Sequence, residues 1–470
     1  MRGPHGRRDL RCPHGRRHSR RAGADHSRGR QGPASLGARD AREDGGRGRR
    51  RDVRPGSDDQ DVRYAGSPRC GPDTRPAHGR DSPERPRIRP CGDRPAARRE
   101  GRRVRRIAAI EATLVAVPLR EPVHGVHGTT SVQRSVIARV TGDDGAEGWG
   151  NVDPTPGYSL TSAADIAERV RTLARPLLGL DPFNLHQALL VMDRDARHAF
   201  EAKAAIEMAL CDLKGRALGV PVHSLLGGRV KPEVTLNAWI GTVPPAQAAR
   251  EARAWLARGF RTAKIKVSKA NAEGLDRVAA VREAVGDRMQ LRVDFNESLT
   301  RDDAVPFIRG LEPYALTLVE QPIPRDDIEG LASIRRAIGI PLMADESVTD
   351  AAALVSIIRQ EAADIVKVKV MKQGGLLRTR AMIECAAAAG LRVVIGHGFG
   401  LTLSTLAEAA VAAVSEAVID GCEAVGPLKM AGDVVTAPVN LDEGVIRLTD
   451  APGLGATIDL DALDRYRVRS

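Results

Sequence analysis

The sequence predicts an α/β protein: a parallel (β/α)7β barrel preceded by a smaller α+β domain and by a segment without regular structure. Three observations predict it. From Val234 onward, short apolar runs alternate with amphipathic stretches, the pattern of parallel strands joined by crossover helices. Three acids, Asp294, Glu320 and Asp345, each end one of those runs, and they lie 26 and 25 residues apart. That interval is about one strand, one helix and two short loops. Finally, residues 1–103 differ in composition from everything that follows.

The net charge of +12 is unevenly spread. Residues 1–103 hold 29 Arg, no Lys and 14 acidic residues, while the remainder holds 43 basic and 46 acidic residues. The basicity belongs to one Arg/Gly/Pro-rich segment whose only aromatic residue is Tyr64. Such a segment buries too little apolar surface to offset chain entropy and is expected to be disordered. Three origins are open: a basic tail that contacts nucleic acid or anionic surfaces, a targeting segment, or an upstream extension of the gene model. It lacks the apolar core of a secretory signal and is too acidic for a transit peptide, and ordered sequence begins abruptly near Val104, which favours the extension. A nucleic-acid-binding protein on a barrel scaffold is the distant alternative function. The segment lacks interleaved aromatics, so nucleic acid is not an expected partner. Cys211, Cys385 and Cys422 have no metal-binding spacing and read as buried thiols of a reducing, cytoplasmic compartment. No apolar run approaches the roughly 20 residues that span a membrane.

Residues 104–232 read as the α+β domain. IAAIEATLVAVPL and SVIARVTGDDGAEGWG are strand-like, with a turn at Gly142–Gly145. Residues 121–131, with His124 and His127, and 151–159, with Asp153 and Tyr158, read as polar loops. Helices are expected at Ala163–Leu173 and at Phe200–Leu218, the latter with an apolar stripe and a stop at Gly219 before Pro221. Residues 233–428 read as a modified TIM barrel. Its strands are VTLNAWI, AKIKV, LRVDF, LTLVE, PLMAD, DIVKVKV and LRVVIG, each followed by a helix, and AVIDGCEAV closes the ring as the eighth. Residues 429–470 are Asp- and Gly-rich with short strands, and are expected to return to the first domain.

In a barrel the C-terminal strand ends converge on one mouth, so the three acids would meet there. One acid alone would read as a cap of the following helix. Three in phase point to oxygen ligands for a hard divalent cation, Mg²⁺, with Mn²⁺ as a substitute. Lys264 and Lys266 in AKIKV share one face, and Ala263, Ile265 and Val267 face outward. Two adjacent ammonium groups lower each other's proton affinity, which moves one towards use as a base near neutral pH. Lys367 and Lys369 share a face on a later strand, and Lys369, nearer its end, falls 24 residues after Asp345. The two lysine strands flank the acid strands, so the bases would approach a substrate from opposite sides. Removing a proton next to a carboxylate creates an enediolate. A divalent cation stabilises its charge while a lysine takes the proton.

KxK, DFNE, VEQP, ADES and KVMKQGG, in this order, resemble the enolase superfamily, in its muconate lactonizing enzyme subgroup. The resemblance covers about residues 107–460, and AAIEMALCDLKGRALGVPVHSLLGG is similar to the helix that joins that family's capping domain to its barrel. It implies that the first domain caps the barrel, with Asp294, Glu320 and Asp345 as Mg²⁺ ligands and Lys266 and Lys369 as the acid/base pair. Lys264 would tune Lys266 and touch the substrate carboxylate, with Asn296 and Glu346 behind the ligands. The loops around His124–Thr130 and Asp153–Tyr158 would close over substrate, which makes His124, His127, Asp153 and Tyr158 candidate substrate contacts. Three departures matter. GHGFGLT stands where members often carry a Met-Leu-Glu type sequence, so His397 is either a pocket hydrogen-bonder or a core histidine. Glu423 is the candidate acid near the substrate's distal end. The Asp-x-Asp pattern of dipeptide epimerases is absent, which speaks against a dipeptide substrate. The resemblance implies a homo-oligomeric racemase or epimerase of a small carboxylate such as an N-acyl, N-methyl or cyclic amino acid. A dehydratase or cycloisomerase using the same intermediate is the alternative.

Overall fold

Strand pairing of two kinds divides the fold: antiparallel in the first domain, parallel in the barrel. The computed structural model describes residues 104–125, 128–155 and 159–469, all within one compact unit. Residues 1–103, His127 and Tyr158 lie outside the described residues, as does the side chain of His124. Strands β1 (Ile107–Gly125), β2 (Gly128–Gly142) and β3 (Glu147–Val152) form an antiparallel meander. The expected loop at 121–131 is instead the far end of the β1–β2 hairpin, where Val123 pairs with Thr130 and His124 with Thr129 after a register shift beyond Pro118. Val and Thr favour the extended backbone there despite the polar neighbours.

Helices α1 (Ala163–Ala174) and α3 (Phe200–Leu218) pack on this sheet, and α2 (Leu185–Asp195) packs against α3. Helix α2 was not expected, although Leu185, Ala188, Leu189 and Met192 form its buried stripe. Helix α3 is buried on most faces, because it lies between the sheet and the barrel. Its Glu207 accepts hydrogen bonds from the amides of Leu376 and Leu377 at 2.8 and 3.0 Å. Gly375, at φ 122°, lies so close that a Cβ would stand 2.6 Å from Glu207 Oε2.

After α4 (Val222–Leu225), β4 (Glu233–Thr235) and β5 (Ala238–Ile240) lead to α5 (Pro245–Ala257), β6 (Thr262–Lys266), α6 (Ala272–Val285), β7 (Gln290–Asp294) and α7 (Arg301–Leu311). Then come β8 (Leu318–Glu320), α8 (Ile328–Ala337), β9 (Leu342–Ala344), α9 (Ala351–Arg359) and β10 (Ile365–Val368). The series ends with α10 (Val370–Gln373), α11 (Leu376–Ala388), β11 (Arg392–Ile395) and α12 (Thr402–Ala412). Strands β5 to β11 form one parallel sheet in chain order. Ala263, Ile265 and Val267 are fully buried, as are their counterparts Leu291 and Val293.

Two strand expectations need correction. VTLNAWI is not one strand: β4 pairs with β12 (Val445–Arg447), and only β5 joins the barrel sheet. AVIDGCEAV is not a continuous eighth strand either. It closes the ring through isolated bridges, Val418 to Val393 and Cys422 to Leu236. Between them Asp420–Gly421 interrupts the ladder, with Gly421 at φ 80°, a conformation outside the strand region. Fully buried Arg292 fills the gap by donating to the carbonyl oxygens of Gly421, at 2.7 Å, and Asp420.

The chain after the barrel returns to β1. Arg120 N–H donates to Lys429 O, Ala431 N–H to Pro118 O and Val468 N–H to Leu114 O, at 2.8, 2.8 and 2.9 Å. Helix α13 (Leu460–Tyr466) packs on β1. Cys211 and Cys422 are buried, but Cys385 is exposed on α11, contrary to expectation. Among the described residues no helix is long and apolar enough to cross a membrane.

Candidate active site

The parallel register sets Lys266 beside Asp294, and Asp294 beside Glu320. Asp345 follows β9 by one residue, and Gln321 fixes it there. The Gln321 side-chain oxygen accepts from the amides of Asp345 and Ser347 at 3.0 and 3.2 Å. Backbone at positive φ marks these strand ends, at Asn296 (44°), Glu297 (65°) and Gln321 (35°). Non-glycine residues hold such angles at a cost, and they cluster at functional sites.

At the mouth, acids and lysines alternate. Lys266 Nζ lies 2.6 Å from Asp294, and Lys264 Nζ lies 2.9 Å from Asp294 and 3.2 Å from Glu320. Lys367 Nζ lies 3.0 Å from Glu320 and 3.5 Å from Asp345, and Lys369 Nζ lies 2.8 Å from Asp345. Glu423 closes a ring behind them, 2.7 Å from Lys264 and paired with Lys367. Lys372 adds a bond to Asp345 at 3.0 Å. Asp294, Glu320, Asp345, Lys264, Lys367, Lys369 and Glu423 are all buried.

The charges act on one another. Burial works against the ammonium of Lys264, but Asp294, Glu320 and Glu423 outweigh it and hold its pKa above the usual lysine range. This differs from the expected mutual lowering by Lys264 and Lys266, because carboxylates surround Lys264. Of the lysines paired with the three acids, Lys369 is the one shown lowered: burial, with Lys367 and Lys372 nearby, brings it to about 7 despite Asp345. Burial likewise opposes ionisation of Asp294 and Asp345, but the lysines around each hold both well below the usual carboxylate range. Burial, with the charges of Asp345 and Asp294, raises Glu346 to about 7.

Asn296 links two parts of the site. Its side chain accepts from Lys266 at 2.5 Å and donates to Glu346 at 2.9 Å. His397 and Asp153 stand together at the junction of the two domains. His397 Nδ1 faces Glu408 at 3.1 Å, and its Nε2, which has no hydrogen-bond partner, lies 3.9 Å from Asp153. Asp153 is fully buried and is bonded by Ser135, Asn151 and Ser404 at 2.5, 3.1 and 2.6 Å. Lys367 and Gln321 were not singled out by the sequence. For Lys367, the face it shares with Lys369 was a signal that could have found it.

The donor set fits a hard divalent cation, because three neighbouring strand ends offer carboxylate oxygens and no softer ligand. Among the described residues, no three acidic, His or Cys side chains close around a common metal position. The ammonium groups stand between the acids instead: Lys264 between Asp294 and Glu320, Lys367 between Glu320 and Asp345. Positive charge bridging each neighbouring pair of acids is what a divalent cation would supply.

Comparison with known proteins shows the family. Residues 109–227 match the family described as mandelate racemase/muconate lactonizing enzyme, N-terminal domain. Residues 247–462 match the family described as enolase C-terminal domain-like. The chain is 32% identical over 367 residues to an N-succinyl-L-Arg/Lys racemase of Bacillus cereus, covering 77% of this chain and 98% of that protein. The structure of a dipeptide epimerase from Enterococcus faecalis, complexed with Mg and the dipeptide L-Leu-L-Tyr, matches at TM-score 0.72 and 31% identity, over 75% of this chain and 99% of that one. A muconate lactonizing enzyme from Pseudomonas fluorescens, complexed with muconolactone, matches at TM-score 0.75 and 30% identity, over 78% and 100%. From its ordered meander to its closed barrel, the chain belongs to the enolase superfamily, in the mandelate racemase/muconate lactonizing enzyme family.

Proposed function

We propose that the chain is a Mg²⁺-dependent isomerase that moves a proton at the carbon next to a substrate carboxylate, with Lys266 and Lys369 as proton carriers and a racemised or epimerised amino-acid derivative as product. The observation that carries this reading is the pair of lysines at opposite ends of one row of three acids. Asp294, Glu320 and Asp345 would hold the cation. When bound, it supplies positive charge to the substrate carboxylate, where negative charge develops. Lys264, kept protonated by its carboxylates, adds a fixed charge at the centre of the mouth. The neutral amine of one lysine takes the Cα proton as the C–H bond breaks. The ammonium of the other then delivers a proton to the opposite face, and inversion results. Glu423 keeps Lys264 and Lys367 in place.

The racemase and epimerase relatives support inversion. The muconolactone-bound relative keeps cycloisomerisation as the second reading, since it needs the same carbanion-like intermediate. We also place the enzyme in the cytoplasm as a homo-oligomer. The buried free thiols of Cys211 and Cys422 fit a reducing compartment. Cell fractionation and light scattering would check both points.

Proton NMR in D₂O with full-length protein and a panel of N-acyl amino acids tests the chemistry. Exchange with inversion that stops on chelation of divalent cations supports it. Ring closure without exchange of a saturated substrate would favour the second reading, and exchange indifferent to chelation would refute the cation's role.

A further inference from the structure

Lys429 follows a short 3-10 turn, Gly426–Leu428, just beyond the segment that closes the barrel. It is only 7% exposed. Its Nζ sits 4.4 Å from the ring centroid of Trp239 and 4.4 Å from that of Phe399, and donates to Gly398 O at 2.5 Å. Among the described residues, every other buried lysine has a carboxylate partner: Lys203 has Asp193, and Lys264, Lys367 and Lys369 have the acids of the mouth. Lys429 forms no ion pair with any described carboxylate. A buried ammonium left without a counter-ion is costly, and two aromatic faces compensate only in part.

Its surroundings place it at the active mouth. After burial itself, the ammonium groups of Lys266 and Lys264 act on Lys429 most and bring it down to about 7, against the opposing charge of Glu423. Its backbone is fixed, because Arg120 N–H of β1 donates to its carbonyl and Met430 bridges Leu119. The first domain therefore holds this side chain where it is. The two rings already face a cation, so a cationic substrate group arriving there would meet Lys429 and be repelled. An anion would complete the site.

We infer that Lys429 is a specificity-determining residue that pairs with a second carboxylate of the substrate, remote from the carboxylate next to the reacting carbon. The substrate class is then an α-proton carboxylate whose other end is also anionic. This rests on the function proposed above, and the test separates the two.

The probes are N-glutaryl-L-leucine and N-pentanoyl-L-leucine, which have acyl chains of equal length and differ in the terminal carboxylate. With full-length enzyme and Mg²⁺, both calorimetric binding and α-proton exchange in D₂O are measured. A charge-assisted hydrogen bond predicts a preference of about 10- to 100-fold for the glutaryl compound, expressed in Kd and KM. The preference is expected to vanish in Lys429→Met and to survive in part in Lys429→Arg, with thermal melts confirming that each variant is folded. If neither compound exchanges, yet the glutaryl compound binds preferentially and only when residue 429 is basic, the inference stands and the proposed chemistry falls. No binding preference in the natural enzyme, or an undiminished preference in Lys429→Met, would overturn it.

Discussion

The two ends of the acid row are built differently. At the β6 end, Lys266 keeps about 25% of its side chain exposed and is held by Asp294 and Asn296. At the β10 end, Lys369 is buried against Asp345, its backbone amide bonds Gln373, and the loop beyond it is fastened to the first domain by Glu207. A lysine open to water exchanges its protons with solvent, whereas a sequestered one keeps what it takes. The difference teaches that two residues in formally equivalent roles need not be kinetically equivalent. Proton abstraction by Lys369 should end more often in return of the same proton, and abstraction by Lys266 in exchange.

The sharpest way to break this comparison is to remove each carrier. Lys266→Ala and Lys369→Ala should each lower racemisation by about 10²- to 10⁴-fold. Each should retain deuterium wash-in for one substrate enantiomer only, and opposite enantiomers in the two variants. Loss of exchange from both enantiomers in either variant would show that the lysines do not act separately. The next effect comes from the anchor. Glu207→Ala leaves the amides of Leu376 and Leu377 without their acceptor, so unfolding free energy should fall by about 1–3 kcal/mol. Calorimetry would show it, and steps that use Lys369 should slow more than steps that use Lys266. Asn296→Ala is the counterpart at the other end. It frees Lys266 from Glu346, and about a tenfold loss in exchange rate with little change in melting temperature is expected.

The smallest effect concerns stability alone. Folded Lys429 has a pKa of about 7 against 10.5 for the ordinary side chain. The unfolded chain therefore binds the proton more tightly between these values, and stability gained from the neutral form grows as pH rises from 7 towards 10.5. Lys429→Met should raise the melting temperature most below pH 7, and the gain should shrink above it. A gain independent of pH would mean that packing, not charge, sets the difference.

Much of this site was legible because its residues obey two periods. The interval of about 25 residues gave the acids and Lys369, and strand alternation gave Lys264 and Lys266. Where both periods fail, so did legibility. Lys429 sits in an irregular turn, and its partner Trp239 is far away in sequence. Gln321 follows an acid that already explained its strand, so its contact with the next loop left no pattern. Cys422 and its neighbours read as a strand because apolar runs do, and only the positive φ of Gly421 shows why the ladder breaks. The pairing tendencies of polar residues also misled: 121–131 looked like a loop because of its histidines and glycines, but its β-formers continued the hairpin.

The interrupted seam has a consequence for how the molecule assembles. Leu236 and Cys422, which meet across it, are separated by nearly the whole barrel, so their contact carries a large loop-closure entropy and belongs late in folding. Arg292 is the latch beside them, holding the carbonyl oxygens of Asp420 and Gly421. A ring that shuts on isolated bridges rather than on a full ladder has a natural place to open, and amides around Cys422 should lose hydrogen-exchange protection before those of β6 to β10.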